Sequence, residues 1–259
     1  MSALFSNSCL IGYTGFVGST LLSQNSFSSL YNSSNINEIS NKNYDLVVCS
    51  AAPAQKWVAN QFPDKDKANI ELLIDHLKSI RCRKFILIST VDVFSHPIGV
   101  NEDSKIDEFN LSAYGLNRRL LEKFVISNFN NHLIVRLPGL VGPGLKKNIL
   151  YDFLNNNNLH LIDSRGIFQF YPMVYLWKDI EIALKNNLSL IHLTSEPISV
   201  KEIALKAFNI NFENNLNATF SVYDMQTQYG DLYGYINYQY KKEESLNSIT
   251  HYAKQDLKL

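Results

Sequence analysis

The sequence predicts an α/β protein built around a parallel sheet that helices cover on both faces. Three observations support this fold class: short apolar runs alternate with helix-period segments, the runs are apolar on both faces, and a glycine-rich turn follows the first run. The chain has 259 residues, of which 46% are hydrophobic, enough for one large domain. We expect a doubly wound sheet in residues 1–144, with further sheet elements and a small C-terminal α/β lobe in residues 145–259, all in one compact unit.

Apolar patterning predicts the elements of the first region. Strands are predicted where short apolar runs occur, at residues 8–12, 45–50, 84–90 and 132–136. Helices are predicted over residues 18–24, 69–80 and 113–126. In the second of these helices, apolar residues at positions 70, 73, 74 and 77 follow helical spacing. Strands that alternate with helices in this way lie parallel in one sheet.

The pattern changes after about residue 144. A helix is predicted over residues 179–187, a strand over 188–193, and a further helix opened by a capping box between Ser199 and Glu202. Half of the 14 tyrosines lie beyond Asn215. These rings either line a pocket or an interface, or belong to a C-terminal flap packed on the sheet edge, and the sequence favours neither interpretation.

Composition limits the class of partner. The formal net charge is zero, which removes a general electrostatic basis for binding nucleic acid or an anionic membrane. No apolar run is long enough to span a bilayer, and Met1–Leu10 lack the pattern of a secretory signal. Cys9, Cys49 and Cys82 are expected to be buried thiols in a reducing compartment, and the scattered histidines predict no metal site. These features favour a cytoplasmic protein.

A glycine-rich loop lies between the first strand and the first helix, with glycines at positions 12, 15 and 18. One glycine permits a tight turn, one lets the backbone approach a pyrophosphate, and one permits close packing of strand and helix. The free N–H groups of the following helix then face the phosphate charge. We therefore predict a Rossmann-like dinucleotide site rather than a turn of purely structural origin. Its loop contacts are Gly12, Thr14, Gly15, Phe16, Val17 and Gly18.

Further segments resemble one known family when they are taken in order. They are the glycine loop with its aromatic Phe16, the run Asp45–Ala52 ending in small residues, Ile88–Phe94, Tyr114–Arg118, Arg136–Gly144 and Trp177–Ile180. Over about residues 8–210, this set resembles the extended short-chain dehydrogenase/reductases, and within them the NAD-dependent epimerase/dehydratase branch. Most members of that branch act on nucleotide sugars. The resemblance implies a sugar or nucleotide-sugar substrate.

The resemblance also implies the cofactor contacts outside the loop. Asn69 matches an asparagine that opens the next helix in the family, and the other matching positions are Ser50, Ala51, Ala52, Ser89, Leu137 and Pro138. NAD-specific members carry a carboxylate about 20 residues beyond the glycine loop. Here the corresponding residues are Asn32, Ser33 and Ser34, with neither an acid nor an arginine beside them. The choice between NAD and NADP therefore stays open.

The catalytic residues implied by the resemblance are Tyr114, Thr90 and Arg118. Tyr114 and Arg118 are four residues apart on a predicted helix, so they share one face. In the family, the tyrosine is the acid or base at a carbinol or carbonyl oxygen, and the Ser/Thr hydroxyl binds the same oxygen. The third residue is a lysine, which holds the nicotinamide ribose and lowers the tyrosine pKa.

Arg118 departs from that family pattern. Arginine keeps a permanent positive charge and can bond ribose hydroxyls, but it is bulkier and cannot release a proton. Two interpretations follow. The chain is either an active NAD(P)-dependent epimerase or keto-reductase with an adjusted site, or a catalytically inactive NAD(P)-binding protein with a regulatory or assembly role. We favour the enzyme.

The residues after Thr90 bear on the reaction and the substrate. Family dehydratases usually carry two acids there, whereas this chain has Val91 and Asp92, which disfavours a dehydratase. Candidate substrate contacts are Pro53, Lys56, Trp57 and Asp92. Trp57 can stack on a sugar or base, or it can pack inward at a helix start. In many family members two helices pair across a two-fold axis, so a homodimer through helices 69–80 and 113–126 is one expectation.

Overall fold

The structure is a computed structural model that describes residues 5–255. In the segment Met1–Leu10, where no secretory signal was predicted, the first four residues lie outside the described range. In chain order, strands β1 to β12 are Ser8–Ile11, Ser29–Tyr31, Asn43–Cys49, Arg81–Thr90, Ile98–Val100, His132–Leu137, Gly139–Val141, Ile167–Phe168, Phe170–Pro172, Leu190–His192, Ile198–Ser199 and Asp224–Met225. Helices α1 to α8 are Phe16–Gln24, Lys56–Gln61, Pro63–Leu77, Ala113–Asn128, Ile149–Asn155, Leu176–Lys185, Val200–Phe208 and Lys242–Gln255.

A six-stranded parallel sheet confirms the predicted α/β fold class. Its strand order is β2-β1-β3-β4-β6-β10, so β1 lies between its two successors in the chain. Ligands of such sheets bind beyond the carboxyl ends of the strands, at the point where the chain order reverses. Gly12 follows β1, Ser50 follows β3, and Thr90 ends β4. Gly12, Ser50 and Thr90 therefore share one edge of the sheet.

The two central strands are apolar on both faces because both faces are covered. Val47 and Val48 of β3 and Phe85 and Ile86 of β4 are fully buried. Phe85 stacks on Phe129, with ring centroids 4.3 Å apart. This burial explains why these strands read as continuous apolar runs instead of alternating with polar residues.

The chain divides into two compact units. One comprises residues 5–95, 105–136 and 176–191, and the other comprises residues 96–104, 137–175 and 192–255. Each unit contains segments from both sides of residue 144, so the units do not follow the division expected from the sequence. The first unit contains the glycine loop and the predicted catalytic residues.

The second unit has a core of its own. Phe153, Ile162, Val200 and Ala204 are buried together. Ser199 caps α7 by accepting a hydrogen bond from the Glu202 backbone N–H, as the predicted capping box requires. Short two-stranded pairings join β5 with β12, β7 with β9, and β8 with β11.

Several of the C-terminal tyrosines pack inside this second unit. Tyr240 stacks on Tyr175 with ring centroids 4.8 Å apart, and the buried Tyr252 donates a hydrogen bond to the Leu145 carbonyl. Tyr238 donates to the Asp224 carboxylate at 2.6 Å. These rings stabilise the unit through their phenol tips as well as their faces.

The main error in the predicted elements concerns α3. The sequence predicts its start at Asn69, whereas the helix begins at Pro63. Proline suits the first position of a helix because its missing N–H has no intrahelical partner there, and Asp64 and Asp66 favour the positive end of the helix dipole. Helices α2, α5 and α8 were not predicted.

All three cysteines are free, and two of them, Cys9 and Cys49, are buried. Burial raises the pKa of Cys49 to about 11 and that of Cys82 to about 12. Helices within residues 5–255 are either too short or too polar to cross a membrane.

Candidate active site

Two glycines of the loop are required by the packing of the chain itself. Gly12 has φ +87°, and a Cβ there would lie 2.7 Å from the Ala51 Cα. A Cβ on Gly18 would lie 2.0 Å from the Gly12 carbonyl oxygen. The first glycine lets β1 turn beside the end of β3, and the second lets α1 pack on that turn.

Gly15 differs from its neighbours because the protein leaves room for a side chain there. Its φ is −77°, and a Cβ on Gly15 would have the Gly12 carbonyl oxygen, 3.5 Å away, as its nearest contact. Gly15 is the N-cap of α1, and it makes no side-chain cap hydrogen bond. The first N–H groups of a helix lack intrahelical partners. A bare backbone beside these N–H groups fits the close approach of a pyrophosphate.

The residues after β2 form a self-contained polar turn. The Asn32 side-chain oxygen accepts hydrogen bonds from the Ser34 backbone N–H at 2.9 Å and from the Ser34 hydroxyl at 2.6 Å. The Asn32 amide donates to the Tyr13 hydroxyl of the glycine loop at 3.3 Å. Ser33 is exposed in the same turn. The turn thus packs against the glycine loop, and its uncharged groups do not discriminate between a ribose hydroxyl and a phosphate.

Two predicted cofactor hydroxyls bond within the protein. Ser50 donates to the Ile11 carbonyl at 3.1 Å and so links the ends of β1 and β3. Ser89 donates to the Glu122 carboxylate at 2.6 Å. Ala51 and Ala52 continue from β3 past the glycine loop. At this edge the backbone and the small side chains, rather than the serine hydroxyls, are the groups left to face a cofactor.

Glu122 is the centre of a buried charged network on α4. It is completely buried and accepts two hydrogen bonds from Arg136, at 2.9 and 2.8 Å, in a bidentate pair. Arg119 donates to the same carboxylate at 2.9 Å. Because a buried carboxylate is costly unless it is paired, this network ties α4 to β4 and β6.

Tyr114 lies at the start of α4 and is 8% exposed. The Thr90 side chain, at the end of β4, lies close enough to the phenol to influence its pKa. Its backbone N–H donates to the Asn60 side-chain oxygen of α2 at 3.0 Å. The structure therefore brings together the two hydroxyls that the resemblance implied, although they are 24 residues apart in the chain.

The pKa of Tyr114 is raised above its ordinary value. Burial is the largest cause, and the Asp92 carboxylate acts in the same direction. The charges of Arg118 and Lys56 and the hydrogen bond from Thr90 lower the pKa, but burial outweighs them. At neutral pH the phenol is therefore protonated.

Gly115 permits the close approach of α4 to the end of β4. A Cβ at this position would lie 2.1 Å from the Asp92 carbonyl oxygen. The N-cap Ser112 accepts a hydrogen bond from the Gly115 N–H at 3.3 Å. A helix that packs directly on the backbone after Thr90 keeps the Tyr114 and Thr90 hydroxyls together.

Arg118 is 3% exposed and lies one helical turn beyond Tyr114. One terminal nitrogen donates to the Asp66 carboxylate, and the other donates to the Pro53 carbonyl. The guanidinium carbon lies 4.0 Å from the centroid of the Tyr114 ring. Asn117 also donates to Asp66, at 2.8 Å. Tyr114, Asn117 and Arg118 thus form one buried face of α4, as helical spacing requires.

Two of the predicted substrate contacts, Lys56 and Asp92, lie next to Thr90. Lys56 pairs with Asp92 at 2.6 Å, and Asp92 lies 3.4 Å from the Thr90 hydroxyl. Trp57 is 69% exposed, so the interpretation that it packs inward is wrong. Pro53 contributes its carbonyl to Arg118. An exposed aromatic ring beside an ion pair is a suitable surface for a polar ring compound.

Asn69 was predicted to open a helix beside the cofactor, and the structure places it elsewhere in that helix. It lies in the second turn of α3, not at its start, and its side chain is exposed. The α3 residue that reaches the site is Asp66, three positions earlier, which sequence reasoning missed. The signal was present in Pro63, which marks the true start of the helix. Leu137 ends β6 and is buried, and Pro138 follows it.

Comparison with known proteins shows the same fold in solved structures. No family model matches the sequence, and no curated protein matches it. A dTDP-4-dehydrorhamnose reductase from Clostridium acetobutylicum aligns with a TM-score of 0.73 at 15% identity, covering 98% of this chain and 100% of that one. A UDP-glucose 4-epimerase from Thermotoga maritima, solved with UDP-glucose, aligns with a TM-score of 0.72 at 14% identity, covering 97% and 99%.

A third structure is the Bordetella bronchiseptica enzyme WbmG in complex with NAD. It aligns with a TM-score of 0.70 at 12% identity, covering 98% of this chain and 95% of that one. At these identities the comparisons establish the fold, and it is the fold that the family resemblance of the sequence implied. They define the chain as a Rossmann-like α/β protein of the type seen in these reductases and epimerases.

Proposed function

We propose that this chain binds NAD or NADP and transfers a hydride at a carbon of a sugar or nucleotide sugar, as an epimerase or keto-reductase. The observation that carries the proposal is that the buried Tyr114 side chain lies beside Thr90, at the edge of the sheet that also bears the glycine loop. The solved structures of the same fold support it, because their names describe enzymes that act on dTDP- and UDP-linked sugars.

The residues of the first unit fit a dinucleotide. Gly15 and the first N–H groups of α1 would hold the pyrophosphate, because a Cβ on Gly15 would have only the Gly12 carbonyl oxygen within 4 Å. The turn at Asn32, Ser33 and Ser34 would meet the adenosine ribose or its phosphate. The alanines after β3 would lie against the adenosine half. A nicotinamide cofactor supplies the capacity to give or accept a hydride when it is bound.

The proton chemistry belongs to the chain itself. Tyr114 would exchange a proton with the substrate oxygen, and the Thr90 hydroxyl would bind the same oxygen. Arg118 would hold the ribose side of the site as a permanent cation. Its Nε has no hydrogen-bond partner among the described residues, although the side chain is 3% exposed. A buried donor of this kind is costly unless a ligand completes it.

The substrate would lie against Trp57, Lys56 and Asp92. The exposed Trp57 ring would stack on the sugar or base, and the Lys56 ammonium would meet a phosphate. A dehydratase is less consistent with the site, because Val91 is buried and apolar and Asp92 alone supplies a carboxylate.

A homodimer through α3 and α4 is a further part of the proposal. Leu72 of α3 and Leu116 of α4 are large apolar side chains that are 56% and 43% exposed, as a helix-pairing surface would require. Sedimentation equilibrium tests this part, and a monomer at all concentrations contradicts it.

The decisive experiment combines binding with turnover. Purified protein is titrated with NADH and NADPH by fluorescence, and then assayed with 4-keto and 4-hydroxy sugar nucleotides. We expect micromolar-range cofactor binding and turnover that Tyr114→Phe reduces by about 10²–10⁴-fold without weakening cofactor binding. Binding without any turnover would support the alternative, a catalytically inactive NAD(P)-binding protein. No binding of either dinucleotide would contradict both.

A further inference from the structure

Residues 53–60, which follow β3, contact α4 at two points. The Pro53 carbonyl accepts a hydrogen bond from the Arg118 side chain. At the other end of the segment, the Asn60 side-chain oxygen accepts a hydrogen bond from the Tyr114 backbone N–H at 3.0 Å. The partners are 65 and 54 residues apart in the chain, so both hydrogen bonds are tertiary contacts.

The same segment also reaches the third proposed catalytic residue, through an ion pair. The Lys56 ammonium pairs with the Asp92 carboxylate at 2.6 Å, and that carboxylate lies 3.4 Å from the Thr90 hydroxyl. Thr90 in turn lies beside the Tyr114 side chain. The segment after β3 therefore lies against the groups that surround the phenol of Tyr114.

The Asn60 contact satisfies a backbone group that α4 cannot satisfy by itself. The first N–H groups of a helix have no intrahelical partner. In α4, the Ser112 side chain accepts a hydrogen bond from the Gly115 N–H at 3.3 Å, and the Tyr114 N–H donates instead to Asn60 of α2. Because this N–H belongs to Tyr114 itself, the hydrogen bond fixes the point from which the phenol extends.

Two further contacts limit the position of Tyr114 on its other sides. A Cβ on Gly115 would lie 2.1 Å from the Asp92 carbonyl oxygen, so this turn of α4 packs directly on the chain after β4. The guanidinium carbon of Arg118 lies 4.0 Å from the centroid of the Tyr114 ring. Neither contact involves the Tyr114 N–H, which Asn60 holds. Loss of the Asn60 acceptor therefore releases the first turn of α4 on the side that faces α2.

Helix α2 carries proposed substrate contacts as well as Asn60. Trp57 and Asn60 are three residues apart, so they lie on neighbouring positions of the helix surface. Trp57 is 69% exposed, whereas Ala59 is buried and anchors the helix. One short helix thus presents an aromatic ring toward solvent and a carboxamide to the backbone of Tyr114.

We propose that Asn60 is a positioning residue, which holds the backbone of Tyr114 so that its phenol stays beside Thr90. This inference rests on the proposed function and adds to it a residue outside the motifs that carry the family resemblance. A misplacement of a reacting group by about 1 Å can slow an enzyme by about 10²-fold. Asn60 therefore acts on kcat, whereas Trp57, one turn earlier on the same helix, acts on KM.

Hydrogen exchange tests the contact without a substrate. The backbone amide of Tyr114 is followed by NMR in the full chain. We expect Asn60→Ala to speed the exchange of this amide by about tenfold or more, because the N–H loses its acceptor and opens to water. The matched control is Gln61→Ala, which changes an exposed neighbour on α2 and should leave the exchange rate unchanged. Equal exchange rates in the wild type and Asn60→Ala would overturn the inference.

Steady-state kinetics test the role in turnover. With 4-keto and 4-hydroxy sugar nucleotides, we expect Asn60→Ala to lower kcat by about 10–100-fold, with KM within about twofold of the wild type. Asn60→Asp keeps an acceptor at the same distance from the backbone and should restore kcat to within about fivefold of the wild type. Gln61→Ala should change neither constant.

Two kinetic results would refute a positioning role. A rise in KM with unchanged kcat in Asn60→Ala would show that the hydrogen bond anchors α2 and its substrate contacts instead of placing Tyr114. A kcat for Asn60→Asp as low as that of Asn60→Ala would show that the acceptor at this position is not what turnover requires.

A second variant covers the case in which Asn60→Ala does not fold. The hydroxyl of Asn60→Ser ends one bond short of the Asn60 oxygen, and a water molecule can bridge the remaining gap. We expect a folded protein in which the looser contact lowers kcat by about tenfold. A wild-type kcat in Asn60→Ser would overturn the inference.

The two kinds of measurement separate this inference from the proposed function. A wild type that turns over no sugar nucleotide, with a Tyr114 amide that Asn60→Ala still exposes, contradicts the proposed function and leaves the hold of Asn60 on Tyr114 standing. Turnover that Asn60→Ala leaves unchanged supports the function and refutes the role of Asn60.

Discussion

The guanidinium carbon of Arg118 lies 4.0 Å from the centroid of the Tyr114 ring. Arginine can stack on this ring and still reach two acceptors with its terminal nitrogens, and lysine cannot do both. We expect Arg118→Lys to lower the free energy of unfolding by about 1–3 kcal/mol, because it leaves the Pro53 carbonyl without its buried donor. Urea denaturation measures this change.

The same variant distinguishes an adapted site from a decayed one. If Arg118 is adapted to its surroundings, the lysine variant turns over more slowly than the wild type. A gain of activity in the variant would mean that the site has lost its chemistry. Arg81→Lys, an exposed exchange of the same residue types, serves as the control and should change neither stability nor rate.

The glycine loop offers a comparison between two alanine variants. Gly18→Ala places a Cβ 2.0 Å from the Gly12 carbonyl oxygen, so we expect a loss of about 1–3 kcal/mol or more in unfolding free energy. Gly15→Ala meets no close protein atom and should cost less than about 1 kcal/mol. If a pyrophosphate covers Gly15, its alanine variant should nonetheless weaken NADH binding by about tenfold, or 1.4 kcal/mol. Unchanged NADH affinity in a folded Gly15→Ala protein would argue against this site.

The buried carboxylate of Glu122 predicts that the folded state loses stability at acidic pH. Burial alone raises the pKa of Glu122, but the hydrogen bonds and charge of Arg136, with those of Ser89 and Arg119, outweigh burial and lower it. A lowered pKa in the folded state stabilises the protein above the unfolded pKa of about 4.3, and this contribution is lost as the pH falls through the folded value.

Glu122→Gln tests that dependence. It leaves Arg136 buried without its counter-ion, so we expect a loss of about 3–5 kcal/mol near pH 7. The variant should also lose stability less steeply than the wild type between about pH 4.5 and 2. Denaturation curves at several pH values provide both quantities, and parallel pH profiles for the two proteins would count against the assignment. The exposed Glu71→Gln on α3 is a control of the same chemistry.

The exposed ring of Trp57 predicts a role in substrate binding alone. Because Trp57 is 69% exposed, Trp57→Ala should leave the fold intact. We expect KM for a nucleotide sugar to rise by about 3–10-fold, as the loss of one stacking contact implies, with kcat little changed. Steady-state kinetics measure both constants. Phe109→Ala, which removes a ring that is 94% exposed, should leave both unchanged, and an equal effect of the two variants would refute a specific contact.

Much of the site follows from local spacing in the sequence. The glycine loop lies where its three glycines predicted it, between β1 and α1, and Tyr114 and Arg118 share a helix face because they are four residues apart. The strands at the centre of the sheet are apolar on both faces and were placed to within a few residues. These features can be predicted from the sequence because backbone geometry repeats with a short period along the chain.

The partners of those residues were not predictable in the same way. Asp66 and Arg118 are 52 residues apart, and Ser89 and Glu122 are 33 apart. The resemblance pointed to Asn69, because nothing in the spacing of apolar residues showed that α3 begins at Pro63. Ser89 was expected to face a cofactor, yet its hydroxyl bonds to a carboxylate on α4.

The sequence by itself determined the α/β fold class and the position of the glycine loop, and it singled out Tyr114 and Thr90 as candidate catalytic residues. Only the tertiary structure decided which charges meet around the phenol of Tyr114. Periodicity along the chain specifies which face a side chain is on, whereas the protonation of a buried group depends on charges a few ångströms away in space. Those charges come from helices and strands far apart in the chain, and packing alone brings them together.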